Sequence, residues 1–151
     1  MPEIYTIGHS NRSADEFLAV LRYYTVQRLV DVRVRPRSHF PYFRQEALAL
    51  WLQEAGIEYV WLGDRLGGFR AGGYTTWMTT AEFAEGLVRL EALARERPTA
   101  FMCAERDPSH CHRRYIALAL KERGWTVRHL LDVGQDEVLA EGSMQLPLTF
   151  G

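Results

Sequence analysis

The sequence predicts an α/β fold: a single three-layer domain on a mostly parallel sheet of about five strands, with helices on both faces. Three observations predict it. Short apolar runs suited to strands alternate along the chain with segments of helical periodicity. Short turns separate them, the pattern of successive parallel crossovers. The chain has 151 residues, 47% hydrophobic and 25% charged, enough to bury one core without staples.

The elements follow in order. Ile4 to Gly8 forms a first strand. Ser13-Ala-Asp-Glu16 is a capping box: the serine accepts from the first turn and the glutamate reaches back. Phe17, Leu18, Leu21 and Tyr24 then share one helical face. Arg28 to Arg33 is a second strand. Gln45 to Ala55 is a helix carrying Leu48, Trp51 and Leu52, stopped by Gly56. Glu58 to Leu62 is a third strand, and the glycine-rich stretch Gly63 to Tyr74 a long loop. Thr80 caps a helix from Ala81 to about Arg97, closed by Pro98. Ala100 to Ala104, the helix Cys111 to Arg123 and the strand Thr126 to Leu131 complete a domain over residues 1–134. Residues 135–151 form a C-terminal tail.

Parallel strands send their following loops to one edge, where open α/β sheets bind ligands. That edge would gather Gly8, His9 and Ser10; Arg33, Arg35, Pro36 and Ser38; the glycine loop; Glu105 to Arg113; and Asp132. The densest cluster is Thr99 to Tyr115. It holds both cysteines, two of the five histidines, Glu105, Asp107 and three arginines at a strand-to-helix junction. A core needs nothing of that kind there, whereas a reactive or anion-binding site does.

The formal net charge of -1 announces no global field for nucleic acid. The basic residues are nonetheless unusual, with 17 arginines against one lysine, Lys121. Genome composition explains such a bias; so does a need for forked donors that hold planar anions, for which Arg33, Arg35, Arg37, Arg106, Arg113 and Arg114 are placed. No apolar run approaches a membrane span and the amino terminus lacks a secretory pattern, so a cytoplasmic location is expected. Two cysteines in such a chain are expected to stay reduced.

Individual motifs sharpen the rim. His9 could act as acid, base or phosphate donor near neutral pH, beside Ser10. Asp31, Arg33 and Arg35 share one face, and a buried Asp31 needs a charged partner. Either this is a structural ion pair, or Arg33 and Arg35 grip an anion while Asp31 orients one of them. His39 to Arg44 sets aromatics beside arginine, suited to stacking bases or to a hydrophobic lid. The glycine-rich segment lacks the phosphate-loop pattern and suggests a mobile flap. No cofactor is called for.

Cys111, flanked by His110, His112 and Arg113 at a helix start, has the better environment for a thiolate. A Cys-five residues-Arg phosphatase loop would need arginine where Ser109 stands. Zinc held by Cys103, Cys111 and a histidine is an alternative, although the usual Cys-x2-Cys spacing is missing. Glu105 is the best-placed carboxylate for general base work. In the tail, Gln145, Leu146, Leu148 and Phe150 resemble the short peptide by which bacterial DNA-maintenance proteins dock on the polymerase sliding clamp.

Thr6-Ile-Gly-His-Ser10, Asp31-Val-Arg33 with Pro36 and Ser38, and Cys103-x-Glu105 followed by Cys111-His-Arg113 together resemble the DUF488 family of small bacterial and archaeal proteins. The resemblance implies an α/β fold and a shared site; it supplies no reaction. The leading expectation is an enzyme acting on a phosphate-bearing substrate, a nucleotide or nucleic acid, in DNA repair or modification. Glu105, His9 and Cys111 would be catalytic. Ser10, Asp31, Arg33, Arg35, Ser38, Arg106, His112 and Arg113 would bind the substrate. The alternatives are a non-catalytic module binding the same ligands, and a zinc-binding protein.

Overall fold

The computed structural model describes residues 2–36, 38–68, 70–105 and 112–139. Five parallel strands carry the expected pattern: β1 (Glu3–Gly8), β2 (Arg28–Asp31), β3 (Glu58–Trp61), β4 (Thr99–Cys103) and β5 (Thr126–Asp132). A sixth, β6 (Gln135–Val138), pairs antiparallel with β5, so the first residues of the expected tail extend the sheet. The order is β3-β2-β4-β1-β5-β6, with β4 and β1 central. The fold is therefore α/β with a mostly parallel sheet.

Alternating side chains build two cores. On one face Ile7, Leu29, Ala100 and Met102 meet Phe17, Val20 and Leu21 of α1 (Ala14–Tyr23) and Leu48 and Leu52 of α2 (Gln45–Glu54). On the other, Ile4, Val30, Phe101 and Val127 meet α5 (Ala81–Glu96) and α6 (Arg113–Glu122). A sheet covered on both faces buries successive positions: Leu29 and Val30 of β2 and Ala100 to Cys103 of β4 are apolar, while the charged ends of β2, Arg28 and Asp31, are buried in ion pairs.

Caps and stops fall where the residues dictate. Ser13 Oγ accepts from the Glu16 amide at 3.0 Å while the Glu16 carboxylate accepts from the Ser13 amide at 2.9 Å. Thr80 caps α5 through the Phe83 amide. Gly56 takes φ +81° after α2, a left-handed turn that side chains disfavour.

The glycine-rich segment departs from a flap. It contains two short helices, α3 (Gly63–Leu66) and α4 (Tyr74–Trp77), and Gly63, Gly67 and Gly68 are buried. A Cβ on Gly63 would stand 1.8 Å from the Arg33 carbonyl oxygen. Glycine here serves close approach of two backbones. Arg70 donates to the carbonyls of Gly63, Asp64 and Gly67, and Tyr74 Oη donates to Leu66 O, riveting the segment shut. Among the described residues no helix is long and apolar enough to cross a membrane.

Candidate functional site

Register brings three strand ends together. Gly8 lies opposite Cys103, and pairing continues past both strands: the His9 amide donates to Cys103 O and the Ser10 amide to Ala104 O. The Val32 amide donates to Met102 O beside them, and the Leu62 amide to Asp31 O. Ser10, Arg33 and Glu105 therefore stand at one end of the sheet, as the sequence requires of a shared site. Ser10 has φ +46°, a left-handed conformation uncommon for a residue with a side chain.

Most of the inner rim is committed to structure. Asp31 is fully buried and Arg33 6% exposed. Arg33 Nε and Nη2 donate to the two Asp31 oxygens at 2.9 and 2.7 Å, and Nη1 donates to Phe43 O at 2.9 Å. Tyr59 Oη donates to Asp31 Oδ2 at 2.6 Å. Burial and the Asp31 charge push the Tyr59 hydroxyl well above the usual phenol range, so it stays a donor. Of the two expectations for this face, the structural ion pair describes Arg33; its fork is filled by protein.

His9 is 4% exposed and stacks on Phe43 at 4.5 Å between centroids. Burial lowers its pKa to about 4. Nδ1–H donates to Ser10 O at 2.9 Å, since a carbonyl can only accept, leaving the Nε2 lone pair buried without a hydrogen-bond partner. The ring is thus neutral and enclosed, with its Nδ1–H spent on Ser10 O. His112 is likewise held neutral, with a pKa of about 4 set first by burial, and its Nε2–H donates to Val32 O at 3.0 Å. It packs against Tyr74 and Gly68.

Arg113 is buried, and its Nη2 donates to Glu105 O, fixing the backbone from which the exposed Glu105 side chain projects. Arg12, which the motifs passed over, ties the rim from the other side through the carbonyls of Gly8 and Leu131. Cys103 is disulfide-bonded, correcting the expectation of reduced thiols. A sulfur with both valences filled is neither nucleophile nor zinc ligand, which removes Cys103 from the zinc reading. Among the described residues no group of three metal-ligating side chains forms. Arg37, Arg106, Cys111, Gln145, Leu146, Leu148 and Phe150 lie outside the described residues.

Exposed chemistry lies farther out, beyond β2 and β3. A cleft of about 740 Å³ is lined by Val34, Arg35, Pro36, Ser38, Arg44, Gln45, Glu46 and Trp61. Arg35 is exposed, and among the described residues its side chain makes no hydrogen bond or ion pair. Among the described residues Arg44 uses only Nε, which donates to Ser38 O. Ser38 Oγ accepts from the Phe40 amide, which leaves its hydroxyl proton to give. Of the aromatics in His39 to Arg44, Phe43 is buried against His9 and Phe17, while Phe40 and Tyr42 are half-buried and pack on one another. Trp61, absent from the sequence candidates, is the ring that faces the cleft; nothing in the sequence marks β3 as an edge strand.

The model of one protein family, described as a domain of unknown function, matches residues 13–120. That range includes Asp31, Arg33 and the segment around Cys103, though not Thr6 to Ser10. No curated protein and no solved structure matches the chain. With more than half of its length matched, and with these motifs in place, the chain belongs to the DUF488 family.

Proposed function

We propose that the protein binds a phosphate-bearing ligand, a nucleotide or a segment of nucleic acid, in the cleft beside the ends of β2 and β3. The observation that carries this reading is Arg35: an exposed guanidinium that makes no side-chain bond among the described residues, in one cleft with Arg44. Guanidinium forks match phosphate oxygens in pairs, and the Ser38 hydroxyl adds a neutral donor. The volume suits a nucleotide-sized ligand, since small-molecule sites span roughly 300–1,000 Å³. By contrast Arg33 supports this reading only as scaffold, since its fork is filled by Asp31 and Phe43.

Titration with pyrophosphate and with nucleoside monophosphates tests it. The double variant Arg35→Gln, Arg44→Gln should bind at least roughly ten-fold more weakly, with a shallower salt dependence. Unchanged affinity and salt slope would remove the cleft from consideration.

Catalysis on that ligand is the second reading, favoured by Glu105. Its side chain is exposed at the rim while its main chain is fastened by Arg113. A Glu105→Gln protein that binds normally but has lost turnover supports an enzyme; normal behaviour in both assays supports a binding module.

A further inference from the structure

The cleft holds a feature that phosphate binding does not use. Trp61 ends β3, opposite Asp31 in the register, and is 37% exposed. Its Nε1–H donates to Arg33 O at 2.8 Å, and that carbonyl belongs to the residue clamped by Asp31. Gly63 packs against the same atoms: a Cβ there would come within 2.5 Å of Trp61 Nε1. The indole is thus a large apolar surface, half-open to solvent and fixed in orientation. A ring already ordered loses little freedom when something stacks on it.

We infer that the ligand of this cleft carries a nucleobase, which stacks on the Trp61 indole while its phosphate meets Arg35 and Arg44. The inference rests on the phosphate reading above and names the rest of the ligand. The cleft's charges point the same way. Glu46 lines it alongside the arginines, and a carboxylate disfavours a bare polyanion while accepting from an amine or a ribose hydroxyl. Gln45, whose amide N–H donates to the Tyr59 hydroxyl, keeps its second N–H and its carbonyl for a base edge. A wall with one aromatic face, two cations, an amide and a carboxylate matches a nucleotide better than inorganic phosphate. A free nucleotide and the end of a single strand share this chemistry.

Calorimetry on the full chain with adenosine monophosphate, ribose 5-phosphate, adenosine and a short oligodeoxythymidylate separates the possibilities. The base should tighten binding roughly ten-fold over ribose 5-phosphate. Trp61→Leu should abolish that advantage while leaving ribose 5-phosphate affinity unchanged, and Trp61→Tyr, which keeps a stacking ring, should retain most of it. Equal binding of adenosine monophosphate and ribose 5-phosphate by the unsubstituted protein overturns the inference and reduces the reading above to phosphate binding by Arg35 and Arg44 without recognition of a base. Adenosine bound through Trp61, with no gain from phosphate and no loss in Arg35→Gln, does the reverse. Should Trp61→Leu fail to fold, the ligand comparison and the tyrosine variant still decide. Tighter binding of the oligonucleotide than of the mononucleotide identifies a strand as the source; the opposite order identifies a free nucleotide.

Discussion

Arg33 and Arg35 stand two residues apart at the end of one strand, yet they belong to different regions. The first is buried, with its donors spent on Asp31 and Phe43; the second is exposed and makes no side-chain bond among the described residues. The same division separates the inner rim, where His9, Asp31, His112 and Arg113 hold strand ends together, from the outer cleft of Arg35, Arg44 and Trp61. Residue type alone did not distinguish them. Burial did: a charge that has left water must be paired, and once paired it has nothing left to offer a ligand.

The sharpest way to break this contrast is Asp31→Ala. It strands a buried guanidinium and the Tyr59 hydroxyl, so a loss of about 3–5 kcal/mol is expected in urea unfolding. Acid comes next. Both His9 and His112 have folded-state pKa values near 4, lowered from 6.5 by burial. The unfolded chain therefore takes up these protons first, so stability is intact above about pH 6.5 and falls as pH drops toward 4, by roughly 3 kcal/mol for each ring. In His9→Phe, which keeps the stacking on Phe43, unfolding followed against pH should show about half of that acid loss.

Gly63→Ala tests the seam between the two regions. Its new methyl would collide with the Arg33 carbonyl and the Trp61 ring, and an overpacking cost of about 1–3 kcal/mol with altered tryptophan fluorescence is expected. The smallest effect belongs to the cleft. Arg35→Gln should change the unfolding free energy by no more than about 0.5 kcal/mol in urea unfolding, while weakening phosphate ligands. A large loss of stability from Arg35→Gln would erase the distinction between scaffold and cleft.

Much of the framework was legible because local chemistry and global fold agreed. The capping box at Ser13 and Glu16, the Thr80 cap and the buried runs of β2 and β4 each left a direct trace in residue order. Asp31 announced a charged partner before any partner was seen. What escaped depended on tertiary context. Gly63 reads as a chain breaker, yet it opens a helix because another backbone passes close by. Gln135–Val138 is polar, short and exposed on an outer edge, with no alternation to reveal a strand. Phe43 and Trp61 are both aromatic residues near arginines; only packing sends one inward and leaves the other at the surface. The disulfide at Cys103 ran against a default drawn from compartment, and spacing alone did not oppose it.

The reversal of direction at β6 has a consequence for how the molecule can be approached. After β5 reaches the rim, the chain turns back, and the Leu139 amide donates to Val127 O near the beginning of β5. Leu139 therefore packs at the end of the sheet where the parallel strands begin, while the Arg35 cleft lies at the end where they finish, so the two ends of the sheet can be altered independently.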